Sequence, residues 1–253
     1  MTTGGSGARP VLAGCRIIVS VDARAARAHV ATSPMVGDDE LGLALEGAGA
    51  DVMRVVAPRA AARTPIALRR AVHRAGVGGA DAVLFTASSA SWIETAESTG
   101  ALEGNRRRAE AGRLILIAID EQETSRLLDA RLPARYVEPS TPAVLASRVV
   151  AHYGSGAGSI LTEAGRLEVR SGGVVLDDRF VPLSGGAVGL IEALFLARGR
   201  VLSRAELGRI LPGGERTDRA VEVAVARLRE SLGGIDLIQT VVKRGYRLAV
   251  AER

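Results

Sequence analysis

The feature that most constrains the fold is a short apolar run followed by a helical segment, repeated five times before Tyr153. Runs such as "IIV" and "LILIAI" are apolar at consecutive positions, as strands buried on both faces are. This alternation predicts a flavodoxin-like, three-layer parallel α/β domain with right-handed crossovers. The predicted strands are Cys15–Val21, Asp51–Val56, Ala82–Phe85, Leu114–Ile119 and Arg135–Val137.

The segments between these runs predict the helices that cover the sheet. Folds of this class bind ligands at the carboxyl ends of their strands, so polar residues there are candidate site residues. The predicted helices are about Asp38–Gly49, Pro65–Ala75, Ser88–Thr99, Glu121–Ala130 and Pro142–His152.

A Gly/Ser-rich stretch, "YGSGAGS" from Tyr153 to Ser159, separates two kinds of pattern and is typical of a flexible linker. We therefore predict a flexible tail at 1–10, the α/β domain at 11–153, a linker at 154–160 and a second domain at 161–253.

The second domain begins with short strands separated by Gly-Gly and Asp-Asp turns, which predict a small antiparallel sheet. Ser203 with Glu206 predicts a capping box, Asp218 is the expected cap of the third helix, and Gly233-Gly234 are expected to end it. The predicted helices are Gly186–Ala197, Arg204–Leu211 and Asp218–Leu232.

The third helix has two different faces. Val221, Val225, Leu228 and Leu232 follow helical spacing and form the core side. The opposite side carries small residues among arginines, whose planar forks suit phosphates and guanine edges. The alternative is an ordinary amphipathic helix with a solvated face. The outward residues are Arg219, Val223, Ala226, Arg227 and Glu230, with Ala220 and Arg229 at the margins.

The chain then reads "IQTVVKRGYRL", in which β-forming residues flank a basic tip, Lys243-Arg244. Two helices, a basic third helix and a basic hairpin follow one another in the order of a winged helix-turn-helix. Such a wing lies along the DNA backbone or reaches into the minor groove.

The segment from about Gly165 to Val250 resembles the DNA-binding domain of OmpR/PhoB-type response regulators. Three motifs carry the resemblance, in order: "VPLSGGAVGLIEALFLARGRVLSRAEL", "RTDRAVEVAVARLRESL" and "IQTVVKRGYRL". It implies a recognition helix in the major groove, binding to direct repeats of double-stranded DNA as a dimer, and DNA contacts at Arg219, Arg227 and Arg229. It also implies that Pro212, Gly213, Gly214, Glu215 and Arg216 match the loop that meets RNA polymerase in some members.

The segment departs from the family pattern where His and Arg are frequent in the third helix and Lys is usual near its end. Ala224, Ala226 and Ser231 stand there, so we expect Arg227 to carry most of the base contacts. In the hairpin, Val242 and Lys243 replace the usual Arg and Gly, so Lys243 and Arg244 are expected to take over the basic role.

The first domain has the layout of a receiver but lacks the residues of phosphoryl transfer. That chemistry needs paired acids after the first strand, an Asp after the third and a Lys after the fifth. Here Asp22 stands alone, the third strand ends in "LFTASS", and this half contains no lysine. We therefore expect no control by aspartyl phosphorylation.

The same half is similar to segments of uroporphyrinogen-III synthase, through "LAGCRIIVSVDARA", "GADAVLFTASSASWIETA" and "LILIAIDEQETSRLL". The similarity covers about half of that enzyme, so half of its cleft between two domains is missing. The family's Arg falls at Val21 and its Gly at Asp120, next to acids that would repel carboxylates. Such a domain joined to this winged helix is typical of actinobacterial regulators.

The hydroxyls of Thr86, Ser88 and Ser89 follow the third strand and are the candidate ligand site of this domain. A helix N-cap is the favoured alternative for them. We expect no enzymatic activity; the domain would sense a ligand, dimerise or contact another regulator. A residual synthase-like enzyme or a tetrapyrrole or small-ligand sensor is the alternative function.

Composition limits the partners, cofactors and cellular location that the chain can have. A net charge of +5 and a pI of about 10.2 permit a polyanionic partner. His29, His73 and His152 lack metal-ligand spacing, so no metal and no cofactor are expected. One cysteine, no signal peptide and no apolar run of membrane-spanning length predict a cytoplasmic protein without a membrane partner.

Overall fold

Five parallel strands form the sheet of the first domain in the computed structural model, which describes residues 9–22, 38–58, 64–138, 141–211 and 216–251. Their order is β2-β1-β3-β4-β5, the flavodoxin-like order, so the predicted fold class is confirmed. The strands are β1 (Arg16–Asp22), β2 (Asp51–Ala57), β3 (Ala82–Phe85), β4 (Ile115–Ala118) and β5 (Ala134–Tyr136).

Helices cover both faces of this sheet. Helices α1 and α6 pack on one face through Leu41, Leu45, Leu145 and Val149. Helices α2 to α5 pack on the other face, around Trp92. The helices are α1 (Asp38–Gly47), α2 (Ile66–Gly76), α3 (Ala90–Ser98), α4 (Leu102–Glu110), α5 (Glu121–Asp129) and α6 (Pro142–Gly154).

Helix α4 is missing from the sequence prediction because it buries polar residues. The Asn105 amide donates to the carbonyl oxygens of Val72 at 3.1 Å and Ala101 at 2.8 Å. Arg108 donates from Nη1 to Ala75 and Ala80 at 2.7 and 2.8 Å. Backbone carbonyls accept hydrogen bonds from the Asn105 amide and the Arg108 guanidinium, so a buried face forms without an apolar stripe.

The second domain begins with the antiparallel strands β6 (Ile160–Thr162), β7 (Gly165–Arg170), β8 (Gly173–Leu176) and β9 (Arg179–Pro182). Three helices and the hairpin of β10 and β11 follow, so the winged helix-turn-helix is confirmed. These elements are α7 (Gly185–Leu196), α8 (Arg204–Gly208), α9 (Asp218–Ser231), β10 (Ile238–Val241) and β11 (Gly245–Leu248). They enclose one apolar core that includes Ile191, Leu207, Val221 and Leu228.

Some predicted element ends were wrong. Thr217, rather than Asp218, caps α9, since its hydroxyl accepts a hydrogen bond from the Ala220 N–H at 3.3 Å. Helix α8 ends at Gly208, three residues before the predicted Leu211. Helix α6 continues through Gly154, and the following residues, 155–158, form turns.

The two domains are docked through buried polar contacts. The carboxylate of Asp81, just before β3, accepts hydrogen bonds from the Ser171 N–H at 2.9 Å and from the Ser171 hydroxyl. It also accepts one from the Arg16 N–H at 2.8 Å. Burial raises the pKa of Asp81, while nearby guanidinium groups oppose that shift.

Two further groups hold the domains together. Arg170, which is 1% exposed, donates from Nη1 to the carbonyl oxygens of Val11 at 2.7 Å and Ala13 at 2.8 Å. Oε1 of Glu192, on α7, accepts from Arg108 Nη2 at 3.3 Å and Arg113 Nε at 3.1 Å. Ala13, Asp81 and Arg113 precede strands β1, β3 and β4, so the second domain lies at the amino end of the parallel sheet.

No helix among the described residues combines the length and the apolarity needed to cross a bilayer. In the same part of the chain, no His, Cys, Asp and Glu side chains cluster as a metal site would require.

Candidate nucleic-acid interface

Helix α9 is anchored by its apolar side. Val221, Val225 and Leu228 are at most 1% exposed and lie in the core of the second domain. Beyond the helix, Gly233 and Gly234 adopt φ values of +71° and +80°, which glycine tolerates best, and end it. The opposite side of α9 is therefore fixed toward solvent.

That outer side carries the predicted cationic residues. Arg219 and Arg227 are exposed, and neither side chain makes a hydrogen bond or ion pair with the described residues. Val223 is 42% exposed, and Ala226 is exposed one turn further along. The arginines are thus available to a partner, on a helix side whose small residues permit close approach.

Arg229 has a different position. Its Nη2 donates to the carbonyl oxygen of Ile238 at 2.7 Å and to Oγ1 of Thr240 at 2.9 Å. Its guanidinium carbon is 5.9 Å from the centre of the Tyr246 ring. This arginine therefore joins α9 to the hairpin, and its donors on that side are occupied.

The tip of the hairpin is exposed. Lys243 and Arg244 are exposed, and their side chains make no hydrogen bond or ion pair within the described segments. Val242, next to them, is 79% exposed. Lys243 has φ +61°, a left-handed conformation that bends the chain between the strands.

A close backbone approach fixes the hairpin beside its tip. Leu202 and Tyr246 exchange two backbone hydrogen bonds, at 2.8 and 2.9 Å. A Cβ at Gly245 would lie 2.0 Å from the Leu202 carbonyl oxygen, and Gly245 has φ +136°, so glycine is required there. The hairpin is thus held against the segment that leads into α8.

Arg204 is a residue that sequence reasoning missed. Its Nε donates to Oε1 of Glu222, on α9, at 2.9 Å, and its guanidinium carbon is 5.6 Å from the centre of the Tyr246 ring. The hydrogen bond to Glu222 raises the pKa of Arg204. Arg204 and Arg229 therefore both contact Tyr246, which connects α8, α9 and the hairpin. No local sequence pattern predicts an ion pair between residues 18 positions apart, such as Arg204 and Glu222.

The predicted polymerase-contact loop is largely outside the described residues, which exclude Pro212, Gly213, Gly214 and Glu215. Arg216 is described and exposed, and its backbone N–H donates to the Gly208 carbonyl oxygen at 3.3 Å.

Thr86 and Ser88, two of the three predicted ligand residues, line a separate cavity of about 390 Å³ at the carboxyl ends of β3 and β4. Thr86 donates from its hydroxyl to the Ser20 carbonyl oxygen at 2.9 Å. The Ser88 hydroxyl accepts from Arg126 at 3.2 Å. These two hydroxyls already have partners in the protein.

Ser89 is fully buried, and Glu123 binds both its N–H and its hydroxyl at 2.7 Å. Burial by itself would raise the pKa of Glu123, but the hydrogen bonds from Ser89 and Arg126 lower it. Ser89 holds the N-cap position of α3, yet its side chain makes no capping hydrogen bond. The favoured N-cap interpretation is therefore right for the position of Ser89 and wrong for its side chain.

Residues 178–248 match the family model described as "Transcriptional regulatory protein, C terminal". This segment holds α7, α8, α9 and the whole hairpin. It is therefore similar to the DNA-binding domains of OmpR/PhoB-type transcription regulators, which supports the resemblance predicted for the second domain. No curated protein matches the chain.

Solved structures that match the chain include the DNA-binding domain of Klebsiella pneumoniae RstA in complex with the RstA box. It is 28% identical, with a TM-score of 0.31, over 36% of this chain and 96% of that one. The DNA-binding domain of E. coli CadC is 28% identical, with a TM-score of 0.32, over 36% of this chain and 94% of that one. The response regulator DrrB, a Thermotoga maritima OmpR/PhoB homolog, is 16% identical, with a TM-score of 0.32, over 93% of this chain and 99% of that one.

Proposed function

We propose that the chain is a sequence-specific transcriptional regulator that inserts α9 into the major groove of double-stranded DNA. The observation that carries this proposal is the pair of exposed arginines, Arg219 and Arg227, on a helix side that also carries the small residues Val223 and Ala226. Side chains of this kind bind guanine edges and phosphates with two parallel hydrogen bonds.

The exposed residues take different roles. Arg227 reads base edges, while Arg219, in the first turn of α9, contacts a phosphate. Val223 and Ala226 offer apolar contact to a thymine methyl group. Lys243 and Arg244 bind the backbone or enter the minor groove, since both are cationic and exposed.

Arg229 supports the interface rather than contacting DNA. Its hydrogen bonds to Ile238 and Thr240 would have to break before its fork could bind a phosphate. It keeps the hairpin at a fixed distance from α9, so both elements meet the same duplex.

Regulation does not use aspartyl phosphorylation. The residue that follows β3 is Thr86, whose hydroxyl donates to Ser20, and the first domain holds no lysine. The nucleophilic carboxylate and the cation that a receiver needs are therefore lacking at those positions.

The first domain, at 11–153, serves sensing or association and has no enzymatic role. Its resemblance to uroporphyrinogen-III synthase covers only one of that enzyme's two domains, so a residual synthase-like activity is the alternative. The regulator acts in the cytoplasm as a homodimer on direct repeats. The loop from Pro212 to Arg216 is its candidate contact with RNA polymerase.

A selection from fragmented genomic DNA tests the proposal. The full chain is expected to enrich a limited set of fragments and to release them as salt rises. Recovery of fragments without any shared sequence would contradict sequence-specific binding. Turnover of hydroxymethylbilane by the same preparation would instead support the enzyme alternative.

A further inference from the structure

A cleft of about 820 Å³ lies between the two domains, on a different side of the first domain from the Thr86 cavity. One wall comes from α2 and α4, with His73, Val77 and Arg107, and the other comes from α7 and the end of α8. Its volume is within the range of about 300–1,000 Å³ that small-molecule sites occupy. The cleft is formed only while the two domains are docked.

The cleft has an excess of positive charge. Among the described residues, Arg107, Arg108 and Arg113 line it beside one acid, Glu192. Arg108 and Arg113 both donate to the same oxygen of that carboxylate, at 3.3 and 3.1 Å. Glu192 and the neighbouring Asp81 together offset these two nearly buried guanidinium groups, so Arg107 is the one of the three arginines without an acidic partner among the described residues.

Arg108 also keeps one polar atom without a partner. Its residue is 7% exposed, and its Nε makes no hydrogen bond within the described part of the chain. Burial lowers the pKa of Arg108, and Glu192 opposes that shift only in part. Arg107, on the same helix, is exposed, and its side chain makes no hydrogen bond or ion pair with the described residues. The exposed and unpaired guanidinium of Arg107 favours an anionic occupant of the cleft.

Much of the remaining cleft lining consists of apolar side chains and glycines. Val77, Leu196 and Ile210 border the cleft and are 66%, 48% and 40% exposed. Gly185, Gly186 and Gly189 leave α7 without side chains along this side, and a Cβ at Gly185 would meet nothing within 4 Å. This surface accommodates a flat apolar body next to the arginines.

We propose that this cleft binds a small organic anion, with a carboxylate or phosphate held by Arg107 beside Arg113 and an apolar body against Val77, Leu196 and Ile210. Such a ligand touches both domains, so its binding stabilises their docked arrangement. The proposal concerns the first and second domains together and does not depend on DNA binding.

The test uses the full chain and three probes of one shape: 1-naphthyl phosphate, 1-naphthoate and the neutral 1-naphthol. Backbone amide NMR signals of Val77 and Gly189 are followed as each probe is added. At least one anion is expected to shift both signals in a saturable way, and naphthol is expected to bind at least threefold more weakly. The two anions separate a phosphate site from a carboxylate site.

Variants supply the decisive comparison. Arg107→Ala is expected to weaken anion binding about threefold or more, because an exposed cation is lost. Glu192→Gln keeps an amide oxygen that accepts from Arg108 and Arg113 but removes a negative charge, so it is expected to tighten anion binding, an effect that loss of domain docking would not produce. Arg179→Ala, at an exposed residue outside the cleft, is the matched control and should leave affinity unchanged.

Saturable shifts with these three variant effects would support the site. Equal binding of naphthol and the anions would overturn it, as would absence of saturable shifts at Val77 and Gly189, or an Arg107→Ala variant that binds like Arg179→Ala.

Discussion

Nη2 of Arg229 lies 2.7 Å from the carbonyl oxygen of Ile238, so one side chain of α9 holds the first strand of the hairpin. Arg227, two residues earlier on the same helix, has no hydrogen-bond or ion-pair partner among the described residues. Two arginines separated by one residue therefore serve different purposes, one in the architecture of the domain and one at its surface.

Arg229→Ala is expected to lower the free energy of unfolding by about 1–2 kcal/mol, because a charged donor to two groups is lost from a half-buried position. Arg227→Ala is the matched control and should change it by less than about 0.5 kcal/mol. Urea denaturation of the two variants measures the difference. Equal losses would contradict the separation of roles.

Lys243→Ala combined with Arg244→Ala should weaken binding to all DNA sequences alike. Removal of two phosphate contacts is expected to flatten the slope of log affinity against log salt concentration by about 2. Fluorescence anisotropy at several salt concentrations measures this slope. If the preferred sequence changed instead, the hairpin would be reading bases.

Arg227→Ala should change sequence preference more than overall affinity for unrelated DNA. Loss of a bidentate base contact is expected to cost about 1–3 kcal/mol at one position of the site. A selection from randomised DNA, run in parallel with wild-type protein, reports the change. An unaltered preference would place the base contacts elsewhere.

The capping box of α8 makes stability depend on acid pH. Hydrogen bonds from the Ser203 N–H and hydroxyl lower the pKa of Glu206 from 4.5 to about 2. Because the folded-state pKa is the lower one, this contribution is present above pH 4.5 and is lost as pH falls toward 2. The Tm difference between wild type and Glu206→Gln should therefore shrink from pH 6 to pH 3. A Tm difference that stays constant between pH 6 and pH 3 would contradict this role of Glu206.

Asp81→Ala is expected to lower the free energy of unfolding by about 3 kcal/mol, since it leaves buried donors of Ser171 and Arg16 without an acceptor. It should also make the two domains unfold in separate steps. Asp51→Ala is the control, because that carboxylate is 74% exposed and its ion pair contributes little. Calorimetry distinguishes one transition from two, and a single transition with unchanged Tm would contradict the docking described above.

The sequence predicted those parts of the fold that rest on local patterns. Consecutive apolar residues located β1 to β5, and Ser203 with Glu206 predicted a capping box that the structure confirms. Helix α4 could not be predicted in this way, because Asn105 and Arg108 occupy buried positions that apolar residues usually fill in an amphipathic helix.

Contacts between distant residues could not be predicted. Asp81 and Ser171 are 90 residues apart, and no periodicity or spacing connects them. Likewise, position in a family motif made Arg229 a candidate DNA contact, whereas its partner Ile238 became visible only in three dimensions. The exposed residues Arg219, Arg227, Lys243 and Arg244 could be named from sequence because helical spacing and a basic tip are local features.

We infer that this chain binds a particular double-stranded DNA sequence through α9 and the hairpin. The most direct measurement compares its affinity for a fragment selected from genomic DNA with that for the same fragment scrambled, over a range of salt concentrations. We predict an affinity about 10³-fold higher or more for the selected fragment, with affinity falling steeply as salt rises. Equal affinity for both fragments, or binding that ignores salt, would contradict the claim.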